Sequence, residues 1–144
     1  MILVDANLLI YSQVSGLEQH PAARAWLDER LSDSSTRVGL PWPSLLAFVR
    51  VVANPRAFER STTVMAAWAQ VERWLELDSV WIPMPTGRHP VVLRRLLAET
   101  SEQSDLVPDA HLAALAIEHG LTLCSADRGF ARFSGLRWEN PLDS

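Results

Sequence analysis

The chain of 144 residues contains no lysine: all 13 of its basic residues are arginine. That absence removes phosphate-loop, Schiff-base and lysine general-base chemistry together, because each depends on an ε-amine. A single cysteine, Cys124, lies inside an apolar run. It has no partner for an intramolecular disulfide and cannot build a cysteine-based zinc site, so a small buried role suits it. No apolar stretch approaches the roughly 18 residues that a membrane span requires. The first residues also lack the basic start and long apolar centre of a signal peptide. A cytoplasmic location with no membrane partner is therefore expected. The net charge of −4 argues against a protein that coats nucleic acid by bulk attraction. It leaves open nucleic acid as a substrate held at one local site. No G-x-S-x-G elbow occurs, which argues against a Ser-His-Asp hydrolase.

What is present reads as one α/β domain spanning residues 1–144, with 48% hydrophobic content. Strand-length apolar runs alternate with segments of helical spacing, the pattern of a three-layer α/β/α fold around a mostly parallel sheet of four to five strands. Strands are expected at residues 2–4, 36–40, 80–82 and 121–124, with a short fifth at 136–138. Helices are expected from Pro21 to Leu31 (Ala22, Trp26 and Leu27 on one face), from about Pro43 to Val52, and from a Thr62 or Thr63 cap to about Leu77. Two more run from His89 to about Ala98 and from Pro108 to His119, the last closed by Gly120. In the third of these Val64, Trp68, Val71, Trp74 and Leu75 are expected inward, and Trp26, Trp68 and Trp74 are expected in the core. A loop containing Gly16 precedes the first helix, and Ser101 to Asp105 reads as a polar loop.

Two strands end in the same grammar. Ile2-Leu3-Val4 delivers Asp5, and Leu121 to Cys124 leads through Ser125-Ala126 to Asp127. Open parallel sheets bind ligands beyond the carboxyl ends of their strands, so these aspartates can share one site. Asp109, opening the helix before the second of these strands, is a third candidate. Singly, each also reads as a helix cap or turn residue. Jointly, carboxylates that close repel one another and invite a hard cation such as Mg²⁺ or Mn²⁺. Two other α/β classes with strand-end aspartates, receiver domains and haloacid-dehalogenase-type phosphatases, also use a lysine that this chain lacks.

The opening ILVDANLLIY, the middle block LPWPSLLAFVRVVANPRAF, and the ending LVPDAHLAALAIEHGLTLCSADRGFARFSGLRW with its NPL resemble, in order and spacing, a PIN domain. Within that family they are similar to the VapC toxins of bacterial type II toxin-antitoxin modules. The resemblance implies a metal-dependent endoribonuclease, acting on tRNA, rRNA or mRNA with Mg²⁺ as cofactor and Mn²⁺ as a substitute. Asp5, Asp109 and Asp127 match the family's acidic positions, as catalytic residues and metal ligands. Asn7 matches a polar position supporting the first aspartate, and Ser125 sits where Thr or Ser stands near the metal. It further implies a homodimer and a VapB-like antitoxin whose C-terminal segment covers the acidic groove, with the helix around Leu45 to Val52 in that interface.

Two departures stand out. Phe48 occupies the position of a glutamate common in the family, and Gly129 that of a second acidic residue or Asn. They motivate an alternative, a PIN fold that binds RNA or a protein partner without cutting. Asp105, one helical turn before Asp109, either assists through water or is a solvated loop residue. The histidines form no evident site, and His111 reads as peripheral. Among the arginines flanking the acidic segments, Arg50, Arg128 and Arg132 are candidate RNA contacts, with Arg56 and Arg60 nearby. Each equally reads as a solvated surface residue.

Overall fold

Ile2, Leu3 and Val4 form the central strand β1 (Ile2–Val4), and four further strands run parallel around it: β2 (Val38–Gly39), β3 (Val80–Trp81), β4 (Thr122–Cys124) and β5 (Trp138–Glu139). Their order is β3-β2-β1-β4-β5. The computed structural model describes residues 1–143. The helices are α1 (Ala6–Gln13), α2 (His20–Ser32), α3 (Trp42–Val52), α4 (Val64–Leu75), α5 (His89–Leu97) and α6 (Val107–His119). Short 3₁₀ turns lie at Ala98–Thr100, Ser104–Leu106 and Arg128–Arg132.

The alternation of strand side chains divides the core in two. Val4, Val38, Leu40 and Cys124 face one cluster with Leu8, Leu9, Leu27, Leu45, Phe48, Val71 and Trp74 from α1 to α4. Leu3 and Leu123 face the other, with Leu96, Leu115 and the alanines of α6, closed by Phe130 and Phe133. The sheet is therefore covered on both faces, which is why its strands read as continuous apolar runs. Each fully buried Leu contributes about 1.5–3 kcal/mol of transfer free energy.

Several local expectations shift. α1 is the helix that Asp5 reads as able to cap; it stands outside the periodic helices because its apolar residues Leu8 to Tyr11 are contiguous and show no 3.6-residue period. In α2 the buried face is Ala23 and Leu27, spaced i, i+4; Ala22 is exposed and Trp26 only half-buried. In α4 it is Ala67, Val71 and Trp74, so Val64 is 60% exposed and Trp68 half-buried. Trp68 instead stacks on Trp42, ring centroids 6.2 Å apart. α3 starts at Trp42 rather than at Pro43. The fifth strand is displaced to Trp138–Glu139, and a 3₁₀ turn at Ser104–Leu106 takes up the end of the expected polar loop.

The connectivity fixes where a ligand can sit. From β1 the chain moves to β2 and β3 on one side, then crosses back through α5 and α6 to β4 on the other side of β1. The carboxyl ends of β1 and β4 thus flank the switch point of the sheet, where neighbouring connections leave in opposite directions and open a crevice.

Candidate active site

β1 and β4 pair with Val4 opposite Cys124, which sets Asp5 beside Ser125 just beyond the strands. The Asp5 amide still donates to the Cys124 carbonyl at 3.0 Å. The Asp5 side chain caps α1, its Oδ1 accepting from Ala6 N at 2.8 Å, while Oδ2 accepts from Ser125 Oγ at 2.8 Å. The capping role and a place in the acidic crevice therefore coexist in one residue.

Ser125 is the hub. Fully buried, its hydroxyl donates to Asp5 and accepts from Asn7 Nδ2 at 3.1 Å and from the Asp127 amide at 3.0 Å. One donor and two acceptor positions are all used. Asn7 closes the loop by accepting from the Ala126 amide at 3.4 Å. Asp127, exposed at the mouth, opens the 3₁₀ turn 128–132 and accepts from Gly129 N at 2.8 Å.

Asp109 stands in the first turn of α6 and completes the set electrostatically. Burial first, then the charges of Asp127 and Asp5, push its carboxyl up to about 6; Arg132 opposes the rise and Asp105 adds to it. Asp5 is also raised from 3.8, chiefly by burial and in smaller part by Asp127, against the pull of the bonds from Ser125 and Ala6. The three aspartates singled out in the sequence thus share one electrostatic neighbourhood. Asp105, exposed in the turn 104–106, lies at its edge.

The donor set is all oxygen, which suits a hard cation. Among the described residues no three His, Cys, Asp or Glu side chains are already gathered as a metal cage. Asp5 and Asp127, with Asp109, are the residues that would hold such a cation, and their mutual repulsion, which adds to burial in raising Asp5 and Asp109, is what it would relieve.

Other candidates fall elsewhere. Phe48 is 1% exposed and packs on Trp74, ring centroids 4.9 Å apart, so that position serves the core. Arg50 is exposed near the end of α3, and Arg128 begins the turn after Asp127. A network that sequence reasoning missed joins α5 to α6. Glu118, its side chain wholly buried, accepts from Thr86 N and Oγ1 and pairs with His89 Nδ1, whose Nε2 lies 3.1 Å from His111 Nδ1. Burial works against the charge of Glu118, but the bonds from Thr86 and His89 outweigh it and its pKa is lowered. The only advance signal was the seven-residue spacing of His111 and Glu118 on one helix face. His111 is thus tied to the helix seam rather than to the aspartates.

The PIN domain family matches residues 2–136 of this chain. Ribonuclease VapC37 of Mycobacterium tuberculosis (strain ATCC 25618 / H37Rv) is 43% identical to it over 141 residues, covering 98% of this chain and 97% of the relative. Ribonuclease VapC43 of the same strain is 41% identical over 143 residues, covering 99% and 97%. Among solved structures, VapBC2 from Rickettsia felis bound to a DNA fragment from their promoter contains a chain of the same fold, with a TM-score of 0.69 at 18% identity over 97% of this chain and 98% of that one.

Proposed function

Because the chain belongs to the PIN domain family, in the branch of the VapC ribonucleases, we propose that it is an endoribonuclease toxin, dependent on Mg²⁺ or Mn²⁺ and silenced by a VapB-like antitoxin. The observation that supports this reading is the joining of Asp5 and Asp127 through the Ser125 hydroxyl beyond the ends of β1 and β4, with the charge of Asp109 coupled to both. A bound Mg²⁺ would supply Lewis acidity and neutralise charge on an RNA phosphodiester.

The chain's own contribution is preorganisation. Each oxygen of Asp5 is held by a separate donor, so its carboxylate cannot swing. Asp127 is fixed by Gly129, and Ser125 locks the two strand ends to each other. Groups held this way need no rearrangement as charge develops in the transition state. In the hydrolysis a water oxygen bonds to phosphorus, one P–O ester bond breaks, and the departing oxygen takes up a proton.

For the antitoxin, a groove of about 720 Å³ opens between the loop after α1, α3 and α4, with Phe48, Val52 and Ala67 on its apolar side and Arg60 and Arg73 among its polar residues. A helical or extended C-terminal segment of the antitoxin would seat there. The inner residues of α3, Leu45, Phe48 and Val52, fill this chain's own core, so Leu46 and Arg50 are what that helix offers outward, with Val49 half-buried beside them. An unaltered complex after Val49→Glu would remove α3 from the interface. Homodimer assembly belongs to the same proposal and is read by light scattering. Among the described residues no helix is long and apolar enough to cross a membrane.

The test is cleavage of total bacterial RNA by purified, antitoxin-free protein with Mg²⁺, Mn²⁺ or EDTA. The control is Asp5→Asn, which keeps the oxygen that caps α1 and removes the charge. Discrete fragments that need metal and vanish in the variant are expected. A folded protein that cuts nothing under either metal would replace this reading with that of a non-cutting binder.

A further inference from the structure

Three carboxylates at one crevice would repel an RNA backbone as strongly as they attract a cation, so a phosphate entering there needs a positive group aimed at it. Arg132 is the one arginine whose charge reaches Asp109. It closes the 3₁₀ turn that Asp127 opens, and the buried rings of Phe130 and Phe133 on either side bolt that turn into the core. Its Nε donates to the Gly129 carbonyl at 3.0 Å. Among the described residues, no carboxylate lies within ion-pairing distance of its guanidinium. Arg24 and Arg95, by contrast, lie on Asp28 and Glu99.

The backbone of residue 129 joins the two groups. Its N–H holds Asp127 Oδ1 at 2.8 Å and its carbonyl holds Arg132, so one residue sets the position of a carboxylate and of a guanidinium. A Cβ at position 129 would stand 3.0 Å from Asp127 Oδ1, so that carboxylate would have to give by a few tenths of an ångström. The carboxylate or amide side chain that the family resemblance suggests for this position would therefore crowd Asp127.

We propose that Arg132 is a phosphate clamp: pinned through Nε on the Gly129 carbonyl, it presents its unpaired Nη edge to the non-bridging oxygens of the RNA phosphodiester held over Asp5, Asp109 and Asp127. The planar fork matches two phosphate oxygens at once. Its charge offsets both the repulsion from the aspartates and the negative charge that builds on phosphorus during attack. The clamp rests on the ribonuclease reading given above and adds to it the residue that touches the substrate phosphate.

The experiment compares Arg132→Ala, Arg132→Lys and Gly129→Ala with the wild-type chain, with Arg24→Ala on α2 as control. All are first checked for folding by circular dichroism and melting. Arg132→Ala is expected to lower kcat by about 100-fold. Arg132→Lys, which keeps charge and fold but not the bidentate fork, should fall roughly 10-fold. Added guanidinium ion at millimolar concentration should restore part of the activity of Arg132→Ala, an effect that a merely structural role would not produce. Gly129→Ala should lose activity while still melting cooperatively. A folded Arg132→Ala variant with wild-type kcat and KM overturns the clamp and leaves the ribonuclease reading standing. If the wild-type chain itself cuts nothing, that reading falls, and the clamp is judged in EDTA by the binding of a single-stranded oligoribonucleotide. A weaker Kd, with a salt slope shallower by about 0.7, supports the clamp; an unchanged Kd and slope overturn it.

Discussion

Replacing Ser125 by Ala removes one oxygen atom and three hydrogen bonds from the point where β1 and β4 deliver their functional residues. The bond to the Asp5 carboxylate is charge-assisted and worth about 1.5–3 kcal/mol, and the bonds from Asn7 and the Asp127 amide about 0.5–1.5 kcal/mol each. The plain sum is about 4 kcal/mol, but Asp5 and Asn7 are only half-buried and water can re-enter to serve them. A loss of about 2–3 kcal/mol is therefore expected. With an m-value of about 2 kcal/mol/M, the urea midpoint should fall by about 1–1.5 M. Metal affinity should drop about 10–100-fold, as when a group that orients a metal ligand is removed. Cleavage should then recover in part at high Mg²⁺. The assay is urea unfolding in EDTA beside a Mg²⁺ titration of cleavage, with Ser125→Thr as the variant that keeps the hydroxyl. A Ser125→Ala protein within about 0.5 kcal/mol of wild type and with the same Mg²⁺ dependence would refute the hub.

Other expectations follow from the same geometry. Phe48→Glu, which restores the residue the family resemblance suggests, should impair rather than improve the protein, because it sets a carboxylate against Trp74 at a site 1% exposed. A loss of at least about 3 kcal/mol is expected, read as a lower melting temperature. Glu118→Gln should cost roughly 1–2 kcal/mol at neutral pH. Because the folded pKa of Glu118 lies below its ordinary 4.5, the wild-type advantage is complete above that value and closes as the pH falls through the lowered one. Paired urea titrations between pH 7 and 3 check the sign, and a difference that widened on acidification would contradict it. Mg²⁺ should raise the melting temperature of the wild-type protein and raise it much less in Asp109→Asn, since binding to the folded state alone stabilises it.

Much of this molecule was legible from residue order. Apolar triplets flanked by helical periods implied a parallel sheet with both faces covered, and Asp5 and Asp127 could be placed at strand ends because a strand's direction and length are local properties. Asp109 at the start of α6 followed from Pro108 and the run of apolar residues after it, and Gly120 closes that helix at φ 67° in the left-handed region. The tryptophans show where such reading ends. Trp68 and Trp74 share a helix and a residue type, yet one is half-buried against Trp42 and the other lies in the core, since burial depends on what packs opposite.

The strand-end aspartates, the helix starts and the all-arginine basic set belong to the chain as written, for they rest on backbone preferences within a few residues. The Ser125 hub spans 118 and 120 residues to Asn7 and Asp5. The seam of Glu118, His89 and His111 spans 29 and 22 residues, and Phe48 is a core residue only because Trp74 of another helix meets it. The electrostatic coupling of Arg132 to Asp109 likewise links the turn after β4 to α6, 23 residues apart in the chain. Such contacts form only when strand order and register bring distant segments together, and strand order is a property of the whole fold that no local window of residues contains.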